Sequence, residues 1–134
     1  KTVKIIYLPA EDVDYSKLGK FDIVFTSPPY FNREIYSTDE NQSCFRYKQY
    51  DDWINNFLIK VLDNCITVLN SESFLIVNIK NLKQYSIADD MCSFLDKKMV
   101  KLPTIKFIQS VLPYNKNSEN TDNFYCYSNI SHPS

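Results

Sequence analysis

The chain has 134 residues, about one domain's worth. Its 44% hydrophobic content suffices for a single core and excludes wholesale disorder. A net charge of −1 excludes a generally basic nucleic-acid coat, though not a local basic patch.

No run approaches the ~20 continuous apolar residues of a membrane span, and no apolar signal-peptide core follows Lys1. The expectation is a cytoplasmic chain with no membrane partner, and the opening lysine fits a piece of something longer. Gly19 is the single glycine, where ~7% of residues is usual, so glycine-rich phosphate and dinucleotide loops are absent. Cys44, Cys65, Cys92 and Cys126 form no CxxC pair and have only His132 as a histidine companion, which predicts no metal site. Cys65 and Cys92 lie on apolar helical stripes and read as small buried hydrophobes in a reducing compartment.

In chain order, Thr2 to Leu8 (TVKIIYL) is β-branched and aromatic and is stopped by Pro9, which predicts a strand. A polar stretch with one helical turn follows. Phe21 to Thr26 (FDIVFT) is a short apolar run of the kind buried in a parallel sheet. Ser27-Pro28-Pro29-Tyr30 ends it, because proline cannot continue a central strand. Residues 31 to 49 are polar with scattered aromatics, a loop long enough to be functional. From Asp51, the apolar positions Trp53, Ile54, Phe57, Leu58, Val61, Leu62, Cys65, Ile66 and Leu69 make one helical stripe, with Trp53 in the core and Asn70 as the left-handed cap. Phe74 to Ile79 reads as a buried strand and Tyr85 to Met99 as a second amphipathic helix. Thr104 to Val111 and Phe124 to Tyr127 are two strands joined too closely for a crossover helix, hence antiparallel. The order predicts an α/β fold with a mostly parallel sheet and one antiparallel pair at the end.

Thr26-Ser27-Pro28-Pro29-Tyr30 stands at the carboxyl end of a buried strand, where open α/β sheets bind ligands. Two prolines fix the backbone and remove two donors, leaving carbonyls as acceptors. The Ser27 hydroxyl adds an acceptor and Tyr30 a flat ring. Together they describe a receptor for an amino group on a planar ring. Acceptors on the two amine hydrogens favour a pyramidal nitrogen with a localised lone pair, which is catalysis by positioning and electrostatics. Glu11 and Asp12 follow a strand on the same edge, where carboxylates suit an amine or ribose hydroxyl, though they equally read as solvated loop charges. Arg33, Arg46 and Lys48, interleaved with Phe31, Tyr36, Phe45 and Tyr47, read either as a nucleic-acid contact loop or as ordinary surface charge.

FDIVFTSPPY resembles the catalytic motif of the S-adenosylmethionine-dependent DNA amino-methyltransferases, which act on cytosine N4 or adenine N6 and carry (D/N/S)PPY after their fourth strand. PAED upstream, FLIVNIKN as the fifth strand and the terminal strand pair extend the similarity over most of the chain. The resemblance implies a partial Rossmann-like methyltransferase fold over residues 1–129, with 130–134 a loose tail. It implies Ser27, Pro28, Pro29 and Tyr30 as catalytic residues and Glu11, Asp12 and Thr26 against S-adenosylmethionine. Phe31, Arg33, Tyr36, Arg46 and Lys48 then lie against DNA, with RNA left open. SPPY leans toward cytosine N4 within the family. The family's glycine loop and first two strands are missing, so a preceding segment or another chain is expected to complete the cofactor site, and the isolated chain is expected to be inactive. The first strand is expected on the vacant edge of FDIVFT. The alternative is a non-catalytic, nucleic-acid-binding or structural remnant of the same fold.

Overall fold

The computed structural model describes residues 2–32, 35, 37–108 and 121–129. Two 3-10 turns, Ala10–Asp12 and Tyr15–Lys17, precede strand β1, Phe21–Thr26. A short helix α1, Ser43–Arg46, leads to α2, Tyr50–Trp53, which runs on through a π-helical stretch, Ile54–Ile59, into α3, Lys60–Thr67. Strand β2, Leu69–Asn78, helix α4, Ile87–Leu95, and strands β3 (Val100–Lys101), β4 (Ile105–Ile108) and β5 (Thr121–Ser128) complete the order.

The sheet runs β1-β2-β5-β3, with β4 also paired to β5. β1 and β2 are parallel, Thr26 opposite Val77, and every pairing to β5 is antiparallel. The class and the terminal antiparallel pair agree with the sequence reading. The parallel part is smaller than expected, because Thr2 to Leu8 is not a strand. Its backbone joins no sheet, and Val3, Ile5 and Tyr7 are exposed. It therefore does not occupy the outer edge of β1 either. β-Branched composition favours a strand only where a neighbour offers a ladder.

The helical stripe ends sooner than its periodicity predicts. Thr67 is the last residue of α3 and Val68 its cap, so Asn70 lies in β2 instead of capping the helix. Between the pairings Phe21–Leu69 and Ile23–Phe74 the register shifts, and Glu72 takes the left-handed conformation there (φ 59°). Glu72 thus accommodates the bulge in a backbone conformation that glycine usually supplies.

One face of the sheet is packed. Leu75 and Val77 of β2 and Tyr127 of β5 meet Trp53, Leu58, Leu62, Ile87, Met91 and Leu95 in a continuous core. On the other face Ile23, Phe25, Phe74, Ile105 and Phe107 remain exposed, although Phe25 stacks on Phe124 and Phe107 meets the same ring edge-on.

Candidate active site

Because β1 and β2 are parallel, their carboxyl ends reach the same edge, and Ser27 arrives beside Asn78. The Ser27 hydroxyl donates to Asn78 Oδ1 at 3.1 Å. Asn78 Nδ2 in turn donates to the Asn123 carbonyl at 3.2 Å, which holds the amide with its oxygen toward Ser27. With its proton committed to Asn78, the Ser27 oxygen offers lone pairs outward. Asn78 is the last residue of β2. Its partnership with Ser27 follows from strand register, which the sequence did not reveal.

Ser27 is exposed, Pro28 is buried, and Pro29 and Tyr30 are half-buried. Tyr30 rests against the margin of the core and is not enclosed within it. Thr26, the last residue of β1, is half-buried beside it. Phe31 then adopts φ 54°, unusual for a bulky residue, and turns the chain sharply after Tyr30. Its ring is buried among Tyr50, Trp53 and Tyr85, with centroids 5.8, 5.5 and 5.2 Å away. Phe31 thus sits in the core and not on the contact loop where the sequence reading put it. The buried ring holds the strained turn in place and so fixes the position of Tyr30.

Arg46 is also placed differently from the sequence reading. Its Nη1 donates to Glu11 Oε1 at 2.8 Å and to Asp12 Oδ2 at 3.0 Å. The Glu11 side chain is 2% exposed, Arg46 27% and Asp12 40%. The Asp12 carboxylate, followed by the other nearby anions, holds the Arg46 guanidinium charged above its ordinary range. Burial, with Glu11 close by, raises the Tyr47 phenol in turn. The ion pair ties α1 to the acidic turn, and Trp53 Nε1 ties it to α2 by donating to Ser43 Oγ at 3.0 Å. Lys48 is exposed, and Arg33 and Tyr36 lie outside the described residues, as does His132.

A pocket of about 270 Å³ opens between the acidic turn and the motif, walled by Pro9, Ala10, Pro29, Cys44 and Phe57, with Glu11 at its margin. A larger cavity of about 590 Å³, lined by Tyr15, Gly19, Lys20 and Thr67, lies at the amino end of β1, away from Ser27. The smaller pocket, and not the larger, adjoins Pro29 of the motif. Among the described residues, no three His, Cys, Asp or Glu side chains gather as metal ligands.

Residues 21–130 match the family model described as DNA methylase. The chain belongs to the DNA methylase family. The matched part of the chain begins at β1 and includes Ser27 to Tyr30, whereas Glu11 and Asp12 precede it. No curated protein matches the chain. Among solved structures it resembles TTHA0409 of Thermus thermophilus, a "Putative DNA Modification Methylase". The similarity is 15% identity and a TM-score of 0.65 over 92% of this chain and 51% of that one. The same protein complexed with S-adenosyl-L-methionine gives 13%, 0.60, 92% and 54%. These likenesses establish the fold, and the chain spans about half the length of the structures it matches. No described helix is long and apolar enough to cross a membrane.

Proposed function

We propose that this chain carries the catalytic part of a DNA methyltransferase that methylates the exocyclic amine of a flipped base, cytosine N4 or adenine N6. The observation that carries the reading is the Ser27–Asn78–Asn123 relay, which turns the Ser27 oxygen into a fixed acceptor at the carboxyl edge of the sheet. The Ser27 oxygen and the Pro28 carbonyl would take the two amine hydrogens. The nitrogen lone pair is then freed from the ring and aimed at the methyl donor. Tyr30, positioned by the Phe31 turn, would stack on the base and hold it outside the duplex.

S-Adenosylmethionine supplies an electrophilic methyl group on a sulfonium. The residues present fit one end of it. Pro9, Ala10, Pro29 and Phe57 offer apolar walls to a purine ring, and Glu11 in the same lining offers a carboxylate to its polar edge. Asp12 follows it in the chain and Thr26 ends β1, both outside that lining. Arg46 already engages both carboxylates, so its part is to fix them and not to reach for DNA. Lys48 remains a cation for the DNA backbone, and Arg33 and Tyr36 keep the proposed contact role. Among the described residues nothing replaces the glycine loop, and a further segment or chain would supply the methionine end.

The test is methyl transfer to duplex DNA by the complete protein. Ser27→Ala and Tyr30→Ala should each lower kcat by about a hundredfold or more, as for loss of an oriented polar group, with little change in thermal midpoint. Equal loss of activity and stability would assign the motif a structural role, and with it the alternative of a non-catalytic remnant.

A further inference from the structure

Beside the motif stands a surface that the methyl-transfer chemistry does not use. The chain between β2 and α4 makes a tight reversal. The Leu82 N–H donates to the Tyr85 carbonyl at 2.9 Å and the Tyr85 N–H to the Leu82 carbonyl at 3.3 Å. Lys83 and Gln84 are left at its tip. Asn81 Oδ1 accepts from the Ala88 and Asp89 N–H groups at 2.9 and 3.2 Å and locks the base of the loop to α4. Tyr85 is stacked on Tyr50 with centroids 4.6 Å apart, and the Tyr50 hydroxyl donates to Asp90 at 2.5 Å. The backbone of the tip is therefore tied to α4 and to the aromatic pair beside it.

A cavity of about 250 Å³ opens here, lined by Asn32, Leu82, Lys83, Gln84 and Tyr85. Asn32 is five residues beyond Ser27, and Phe31 between them packs on Tyr85, so the cavity adjoins the catalytic motif. Asn32, Lys83 and Gln84 are exposed and have no hydrogen-bond partner among the described residues. An exposed ammonium, two amides and an aromatic ring around one cavity match the parts of a nucleotide. The cation suits a phosphate, the amides suit a base edge, and the ring suits a base or sugar face.

We propose that this cavity receives a nucleotide flanking the methylated base, with Lys83 on its phosphate and Gln84, assisted by Asn32, on its base edge. The assignment rests on the DNA methyltransferase reading and extends it from the reacting base to its neighbour in the sequence.

The experiment measures duplex binding by fluorescence anisotropy in a salt series, together with the sequence preference of methylation, using the complete protein. Lys83→Ala should weaken binding to all sequences alike and reduce the salt slope by about 1. Gln84→Ala should relax preference at one position beside the target, by about tenfold. Both side chains are exposed at the loop tip, so neither change threatens the fold. Wild-type behaviour of either variant overturns the assignment. If the wild type still methylates DNA and Ser27→Ala does not, the methyltransferase reading survives that result. A wild type that neither binds nor methylates DNA overturns both.

Discussion

Replacing Arg46 with Met tests whether the ion pair to the acidic turn holds the site together. The substitution keeps most of the aliphatic stem and removes the guanidinium. It strands a Glu11 carboxylate whose side chain is 2% exposed and whose Oε1 lay 2.8 Å from Nη1. Breaking a fully buried pair costs about 3–5 kcal/mol. Here the Arg46 side chain retains 27% of its exposure, so water reaches the partner's place and the expected loss falls to about 2 kcal/mol. Asp12, 40% exposed, should contribute under about 0.5 kcal/mol. A double-mutant cycle in urea separates the two, read by circular dichroism and by the fluorescence of Trp53, the chain's single tryptophan, which is bonded to α1 through Ser43. The Arg46–Glu11 coupling should reach at least about 1 kcal/mol, and Glu11→Gln should recover roughly half of the Arg46→Met loss. Additive behaviour of Arg46→Met and Glu11→Gln would refute the tie and return Arg46 to the nucleic-acid surface.

Alkaline pH should destabilise the chain. Burial pushes the Cys65 thiol from 9.0 up to about 11 and the Tyr15 phenol from 10.0 up to about 12. Between these limits the folded state binds more protons than the unfolded one, so stability is intact below pH 9 and falls as pH rises toward 12. Urea midpoints measured from pH 8 upward check this, and a flat profile would count against it. For the bare sheet face, Phe25→Lys should reduce self-association of the chain in sedimentation velocity without lowering the helical signal. An unchanged sedimentation profile would show that this face does not drive association.

The elements that carry the site were legible because their signals are local. FDIVFT is rich in apolar residues and is cut off by two prolines, and β1 is bounded as that pattern predicts, although none of its residues is buried as the pattern also predicts. Of the stripe from Trp53 to Cys65, Trp53, Ile54, Phe57, Leu58, Leu62 and Cys65 are buried and Val61 partly so. What the sequence hid depends on distant partners. Arg46 amid aromatic residues has the composition of a nucleic-acid loop, and only the fold brings Glu11, 35 positions earlier, to its guanidinium. Phe31 follows a motif facing the cleft, yet its left-handed backbone turns the ring into the core, and no residue type announces that for a phenylalanine. Asn78 became informative only through register, since a strand shifted by one residue would point its amide to the opposite face.

The unpacked face of the sheet bears directly on the site. Ile23 and Phe25 are 59% and 58% exposed, and they alternate along β1 with Val24, which packs against the core. Phe21, Ile23 and Phe25 give the strand one apolar and exposed face, Asp22 and Thr26 flank Val24 on the other, and the outer edge has no ladder partner among the described residues. An apolar face joined to an open edge marks a surface built for contact. Ser27 begins where that strand ends. An element packed over Ile23 and Phe25 and hydrogen-bonded along β1 would clamp the strand from which the motif projects, and so restrict the Ser27 oxygen relative to Asn78. Acceptors stabilise a transferring amine only while their geometry is held, so on the proposed function an element covering this face would also steady the Ser27 acceptor.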